Sequence, residues 1–155
     1  MPTTLRGGDD FDTSPSLRSR VKVRGAQGFG STNTCVRRWS TLDYWEGTDI
    51  SQTDSASLGA SFTINTDGIY AISYSDNFNA VGTLVITNTN NNLNTTASVL
   101  DVLVMQTTGG ANLAGACNWI GYVPAGTVIR ARTYAPVGGN GTLTASEHFS
   151  IVRVS

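Results

Sequence analysis

Apolar and polar residues alternate in short runs along most of this chain, with turn-forming residues between the runs. Leu17-Arg18-Ser19-Arg20-Val21-Lys22-Val23-Arg24 alternates strictly. As a strand it places Arg18, Arg20, Lys22 and Arg24 on one face and Leu17, Val21 and Val23 on the other. From Thr34 onward, residues 35–39, 60–64, 68–75, 83–87, 97–106, 114–123, 127–133 and 149–154 read as strands. Only Asn65-Thr66-Asp67 separates the second and third of these, and with Gly68 it predicts a tight antiparallel hairpin. Residues 88–94 form a polar loop tip, and 107–111 and 136–141 are Gly-rich connectors. No window sustains a 3.6-residue apolar period, so little helix is expected. The fold class that follows is all-β, an antiparallel jelly-roll sandwich with an extended N-terminal arm.

Residues 97–106 and 114–123 carry apolar residues on both faces, where a lone sandwich presents one wet, polar face. Leu100, Val102 and Val104 share one side of the first run, and Val99 and Leu103 share the other. Both sides are therefore expected to be covered, by a second subunit or by loops.

Composition supports the pattern. At 155 residues the chain is one domain's worth of protein, and only 14% of it is charged against about a quarter in soluble domains. Thr, Ser, Asn and Gly fill the difference, residues that suit turns and pleated surfaces better than helix interiors. The formal net charge of -1 does not point to nucleic acid. No apolar run is long enough to cross a bilayer as a helix. The first ten residues have no apolar stretch of the secretory kind, so synthesis in a cytoplasm is expected. Residues 1–33, with Gly7-Gly8, Asp9-Asp10 and Ser14-Pro15-Ser16, read as an arm, and 34–155 as the jelly-roll domain. Cys35 and Cys117 read as two buried reduced thiols, too few for a disulfide framework.

Candidate chemistry is sparse. The one histidine, His148, has no Gly-x-Ser-x-Gly nucleophile turn to serve, and reads as a turn or surface residue. One histidine and two cysteines do not sit at zinc spacing. Asp9, Asp10 and Asp12 lack the loop-and-Glu pattern of a calcium site and read as a solvated arm. Leu42-Asp43-Tyr44-Trp45-Glu46 sets aromatics beside carboxylates, as sugar-binding surfaces do, but equally suits a strand edge packed by Trp45. No catalytic residue, metal ligand or cofactor is assigned, and no enzyme is expected. Binding is better motivated. The comb Arg18/Arg20/Lys22/Arg24 suits docking on acidic groups of a larger assembly, by adding a strand to a neighbour's sheet edge. It equally suits a solvated edge strand protected by charge. Arg37-Arg38 and Arg130/Arg132 either extend that surface or pair with Asp43 and Glu46 at a subunit contact. The loops carrying Asn90, Asn92, Gly109, Gly138 and Asn140 are the candidate exposed binding loops.

Three stretches resemble the superfamily of trimeric jelly rolls that includes tumour necrosis factor and the complement globular heads. They are the run from Ala60 through Phe62, Gly68 and Tyr70 to Ser75, the turn Val123-Pro124-Ala125-Gly126-Thr127-Val128-Ile129-Arg130, and the closing strand His148-Phe149-Ser150-Ile151-Val152-Arg153-Val154. The resemblance covers about residues 34–155, and Thr127 stands where that family usually has Asp. It implies a homotrimer in which Phe62, Tyr70, Ile72, Tyr74, Phe149 and Ile151 fill the core or line a three-fold axis. No Gly-X-Y stalk is present, which argues against complement-type or secreted cytokine roles. Gly30 to Trp39, Gly47 to Ile50 and Ser55 to Phe62 resemble small structural proteins of tailed bacteriophages. That likeness implies a virion protein made in the host bacterial cytoplasm. In it, a trimeric capsid decoration (cement or head-fibre-like) protein is anchored by its N-terminal arm to a partner such as the major capsid protein. The alternative is a tail-associated receptor-binding or adaptor protein that recognises a host surface glycan or protein. Neither role involves nucleic acid or membrane.

Overall fold

The computed structural model describes residues 19–88, 96–137 and 144–155. Its strands are β1 (Arg20–Phe29), β2 (Arg37–Glu46), β3 (Ile50–Ser55), β4 (Gly59–Ile64), β5 (Gly68–Asn77), β6 (Thr83–Thr87), β7 (Val102–Thr107), β8 (Ala114–Val123), β9 (Val128–Thr133) and β10 (His148–Arg153). They form two five-stranded antiparallel sheets, ordered β2-β1-β10-β5-β8 and β3-β4-β9-β6-β7. The expected jelly-roll sandwich is therefore observed. The helical element among the described residues is a single 3₁₀ turn at Thr144–Ser146.

Inward positions recur every second residue, as the alternation requires. Val21 and Val23 of β1, Phe62 and Ile64 of β4, Tyr70, Ile72 and Tyr74 of β5, and Phe149 and Ile151 of β10 are all buried. Phe149 is the hub. Its ring lies 4.8 Å from Phe62 of the facing sheet and meets Tyr74 edge-on at 6.0 Å. Trp39 stacks over it at 6.4 Å. The residues assigned to a core or a three-fold axis thus fill the core of their own chain.

Four expectations need correction. Residues 60–64 and 68–75 do not form a hairpin: β4 pairs with β3 and β9, while β5 pairs with β10 and β8. The Asn65-Thr66-Asp67 link instead arches from one sheet to the other, because Thr66 and Asp67 bond across the sandwich end and not along a ladder. Thr66 Oγ1 donates to Asp49, and Ala125 N donates to Asp67 Oδ1. The hairpin lies one step earlier, between β3 and β4. Second, β3 has one apolar residue in six, Ile50, so periodicity hid it; its inward Asp54 is answered by Arg38 at 2.9 Å. Third, β7 begins at Val102, and Val99 and Leu100 sit in the preceding turn, where Leu100 is 88% exposed. Fourth, β1 belongs to the sandwich, flanked by β2 and β10. The jelly roll therefore begins by Ser19 and not at residue 34.

Two glycines carry their turns for different reasons. Gly126 in the β8–β9 turn has φ +84°, which side-chain-bearing residues rarely adopt. Gly68 is not in that region. It is required because a Cβ there would collide with the Ser155 carbonyl and the Arg153 side chain.

Candidate functional site

The outward face of the first sheet is the surface that stands out, and its two halves differ chemically. At the β2–β1 side the outward residues are charged. Arg20 and Glu46 are register partners and bond through two nitrogens, at 2.7 and 3.0 Å. The Arg20 guanidinium also lies over the Tyr44 ring, 4.9 Å from its centre. Asp43 accepts from Arg24 Nε at 2.5 Å and meets Lys22 Nζ at 3.5 Å. Bonding to Arg24 holds the Asp43 carboxyl below its ordinary pKa, and bonding to Arg20 does the same for Glu46.

At the β10–β5–β8 side the same face turns small and apolar. Ala71 of β5 pairs with Val152 of β10 on one flank and with Ile120 of β8 on the other. Ile69 pairs with Tyr122, and Ser73 lies between Ser150 and Asn118. These strands frame an open groove of about 320 Å³ lined by Ala71, Ser73, Asn118, Ile120, Ser150 and Val152. Ile120 is 64% and Tyr122 59% exposed, and Met105, on the β7 edge across from β8, is exposed too. The apolar double-facedness expected of 114–123 is thus present. Cys117 and Val123 point into the core while Ile120 and Tyr122 point out.

The remaining arginines do not extend the comb. Arg37 and Asp76 are both fully buried and joined by two bonds of 2.5 Å, with Glu147 3.8 Å away. Tyr74 donates to the same Asp76 carboxylate at 2.6 Å, and the rings of Phe29 and Phe78 lie 4.7 and 5.4 Å from the Arg37 guanidinium carbon. Burial pulls the Arg37 pKa down, but the bonds and charge of Asp76 outweigh it and leave it above its ordinary value. Within the chain these arginines neither extend the comb nor meet Asp43 and Glu46: Arg37, Arg130 and Arg132 are buried, Arg38 meets Asp54, and the two carboxylates meet Arg20, Lys22 and Arg24. Arg130 and Arg132 are buried on β9, where desolvation lowers both their pKa values. The buried cluster was missed, yet it left a trace. Asp76 continues the inward series Tyr70, Ile72, Tyr74, and a carboxylate at an inward position needs a cation.

His148 Nδ1 lies 3.2 Å from Ser75 Oγ. Ser75 donates its proton to the Ser146 carbonyl, so the pair is not set as a nucleophile with its base. Burial, then the charge of Lys22, lowers the His148 pKa, leaving a neutral ring at pH 7. Cys35 and Cys117 are both buried and not joined in a disulfide, and burial pushes Cys117 up to about 12. Of the remaining candidates, Gly109 lies in an exposed bend after β7, whereas Arg18, Asn90, Asn92, Gly138 and Asn140 lie outside the described residues.

Comparison with solved structures places this arrangement. Murine APRIL at pH 8.5 superposes with a TM-score of 0.62 at 10% identity, over 88% of this chain and 99% of that one. GITRL from bushbaby gives 0.52 at 12% identity, over 88% and 94%. Pika GITRL gives 0.52 at 15%, over 89% and 96%. APRIL and GITRL are both members of the tumour-necrosis-factor family. This chain has the tumour-necrosis-factor-like jelly-roll fold. No family model matches the sequence, and no curated protein matches it. On this jelly roll the apolar groove occupies the sheet that holds the first and last described strands, β1 and β10.

Proposed function

We propose that this chain is a non-catalytic structural protein that assembles as a homotrimer on a bacteriophage virion, where it decorates the capsid. The observation that carries the assembly reading is the apolar half of the first sheet's outer face. Ile120 and Tyr122 stand exposed beside a groove of neutral, small side chains, and charge is confined to the other half. Such a patch on a sandwich marks a protein contact. The exposed β7 edge, bearing Met105, and the β10–β5–β8 face, bearing Ile120, are different surfaces of one chain. A contact of one on the other is head-to-tail, and it closes into a ring when the rotation allows.

The virion setting rests on the likeness of Gly30 to Trp39, Gly47 to Ile50 and Ser55 to Phe62 to small tailed-phage structural proteins, and with it synthesis in the bacterial cytoplasm. Docking on a partner such as the major capsid protein is assigned to residues 1–18, which precede the sandwich. Over Arg20 to Arg24, which carries the described part of the comb, β1 is paired on both edges and has no ladder left to offer a neighbour. Counting the chain in a purified particle tests this function. Hundreds of copies on the shell are expected; a dozen or fewer at a tail site would replace decoration with the tail-associated receptor-binding role.

A further inference from the structure

A second groove, of about 570 Å³, opens at the charged end of the same sheet, where β1, β2 and β10 meet. Its lining is Lys22, Arg24, Gly25, Ser40, Thr41, Ala145, Glu147 and His148. The Glu147 carboxylate is turned into the protein toward Asn77 and Arg37, so it presents no accessible oxygen to the groove. Of the cations on this face, Arg20 has Glu46 to itself, while Lys22 and Arg24 share the single carboxylate of Asp43. At the groove surface two cations thus face one exposed carboxylate. Two hydroxyls there are weakly engaged. Ser40 Oγ lies 3.4 Å from the Arg24 carbonyl and 3.4 Å from Thr41 Oγ1. The volume is within the range of small-molecule sites.

We propose that this groove binds an acidic sugar residue, its carboxylate held at Lys22 and Arg24 and its ring hydroxyls met by Ser40, Thr41 and His148. An excess cation beside several hydroxyl-bonding groups matches a ligand that carries one negative charge on a hydroxylated ring. The site is separate from the apolar groove, so it stands whether or not the chain self-associates. His148 is faced by Lys22 and Arg24 from β1, Asp43 from β2 and Ser75 from β5. An anion beside it favours the protonated ring, so binding strengthens as pH falls through the His148 pKa.

The test is calorimetric titration of the whole protein with a galacturonate trisaccharide, the neutral galactose trisaccharide, and acetate. The expected result is binding of the acidic sugar at least about 10-fold tighter than either control. That binding should tighten as the pH is lowered below 6.5, weaken about 10-fold in Lys22→Gln, and lose its pH dependence in His148→Gln. Equal affinity for the neutral sugar or for acetate overturns the proposal. So does unchanged binding in Lys22→Gln, or no binding at millimolar acidic sugar.

Discussion

The two halves of one sheet face meet water on opposite terms. At β1 and β2, both carboxylates, Asp43 and Glu46, are answered within the chain by Arg20, Lys22 and Arg24, so that half stands in water without a second copy to cover it. At β5, β8 and β10, Ile120 and Tyr122 stand exposed beside Ala71 and Val152 with no cover among the described residues, and the exposed apolar area is a standing cost in water. A basic comb in a sequence suggests a partner. In the structure it is the uncharged half that needs one. The buried Arg37–Asp76 pair adds a third case, with the same chemistry as Arg20–Glu46 sealed from solvent.

The largest expected effect separates burial from charge. Arg37→Met leaves the Asp76 carboxylate buried with its strongest partner gone, and the fold should lose about 3–5 kcal/mol in urea unfolding. Replacing all three charges, Arg37→Met with Asp76→Leu and Glu147→Gln, should recover much of that loss, because no uncompensated charge then remains in the cluster. Next, Ile120→Asp sets a carboxylate in the apolar half and should weaken self-association by about 100-fold or more in sedimentation, without lowering the melting temperature of the isolated chain. Lys22→Ser in the charged half should leave association unchanged. If the two variants behave alike, the halves are not different in kind.

A smaller, pH-dependent effect belongs to the sandwich end. Asp49 accepts from Thr66, Ser19 and Arg153, and these bonds, Thr66's first, hold its pKa below the ordinary 3.8. The folded value is depressed, so the stabilisation is present above about pH 4 and is lost as pH falls through the folded pKa. Asp49→Asn should flatten the acid limb of the stability curve and change little at pH 7. The smallest effect is that of Glu46→Gln: an exposed pair in water contributes little, and the thermal midpoint should not move measurably.

Much of the fold was legible because alternation reports burial directly. Val21/Val23, Tyr70/Ile72/Tyr74 and Phe149/Ile151 are inward pairs in the sequence and in the sandwich alike. What failed depended on relations between strands. A three-residue link such as Asn65-Thr66-Asp67 serves a hairpin or an arch equally well, and the choice is made by bonds to Asp49 and Ala125, remote in sequence. Strand β3 escaped because an edge strand with Asp54 and Gln52 pointing inward keeps no apolar period. The outward apolar half could be inferred from residues 114–123, since apolar residues on both sides of a strand demand two covers. In 97–106 the same inference misled, because Val99 and Leu100 belong to a turn. Which carboxylate answers which arginine was beyond the sequence, as pairing is set by register and not by order along the chain.

The mass of the full chain by light scattering, from micromolar concentration upward, tests most directly whether identical copies cover the apolar half. Three times the 16.4 kDa of one chain is expected, with the mass falling to that of one chain in Ile120→Asp. A stable 16.4 kDa species at every concentration would contradict it.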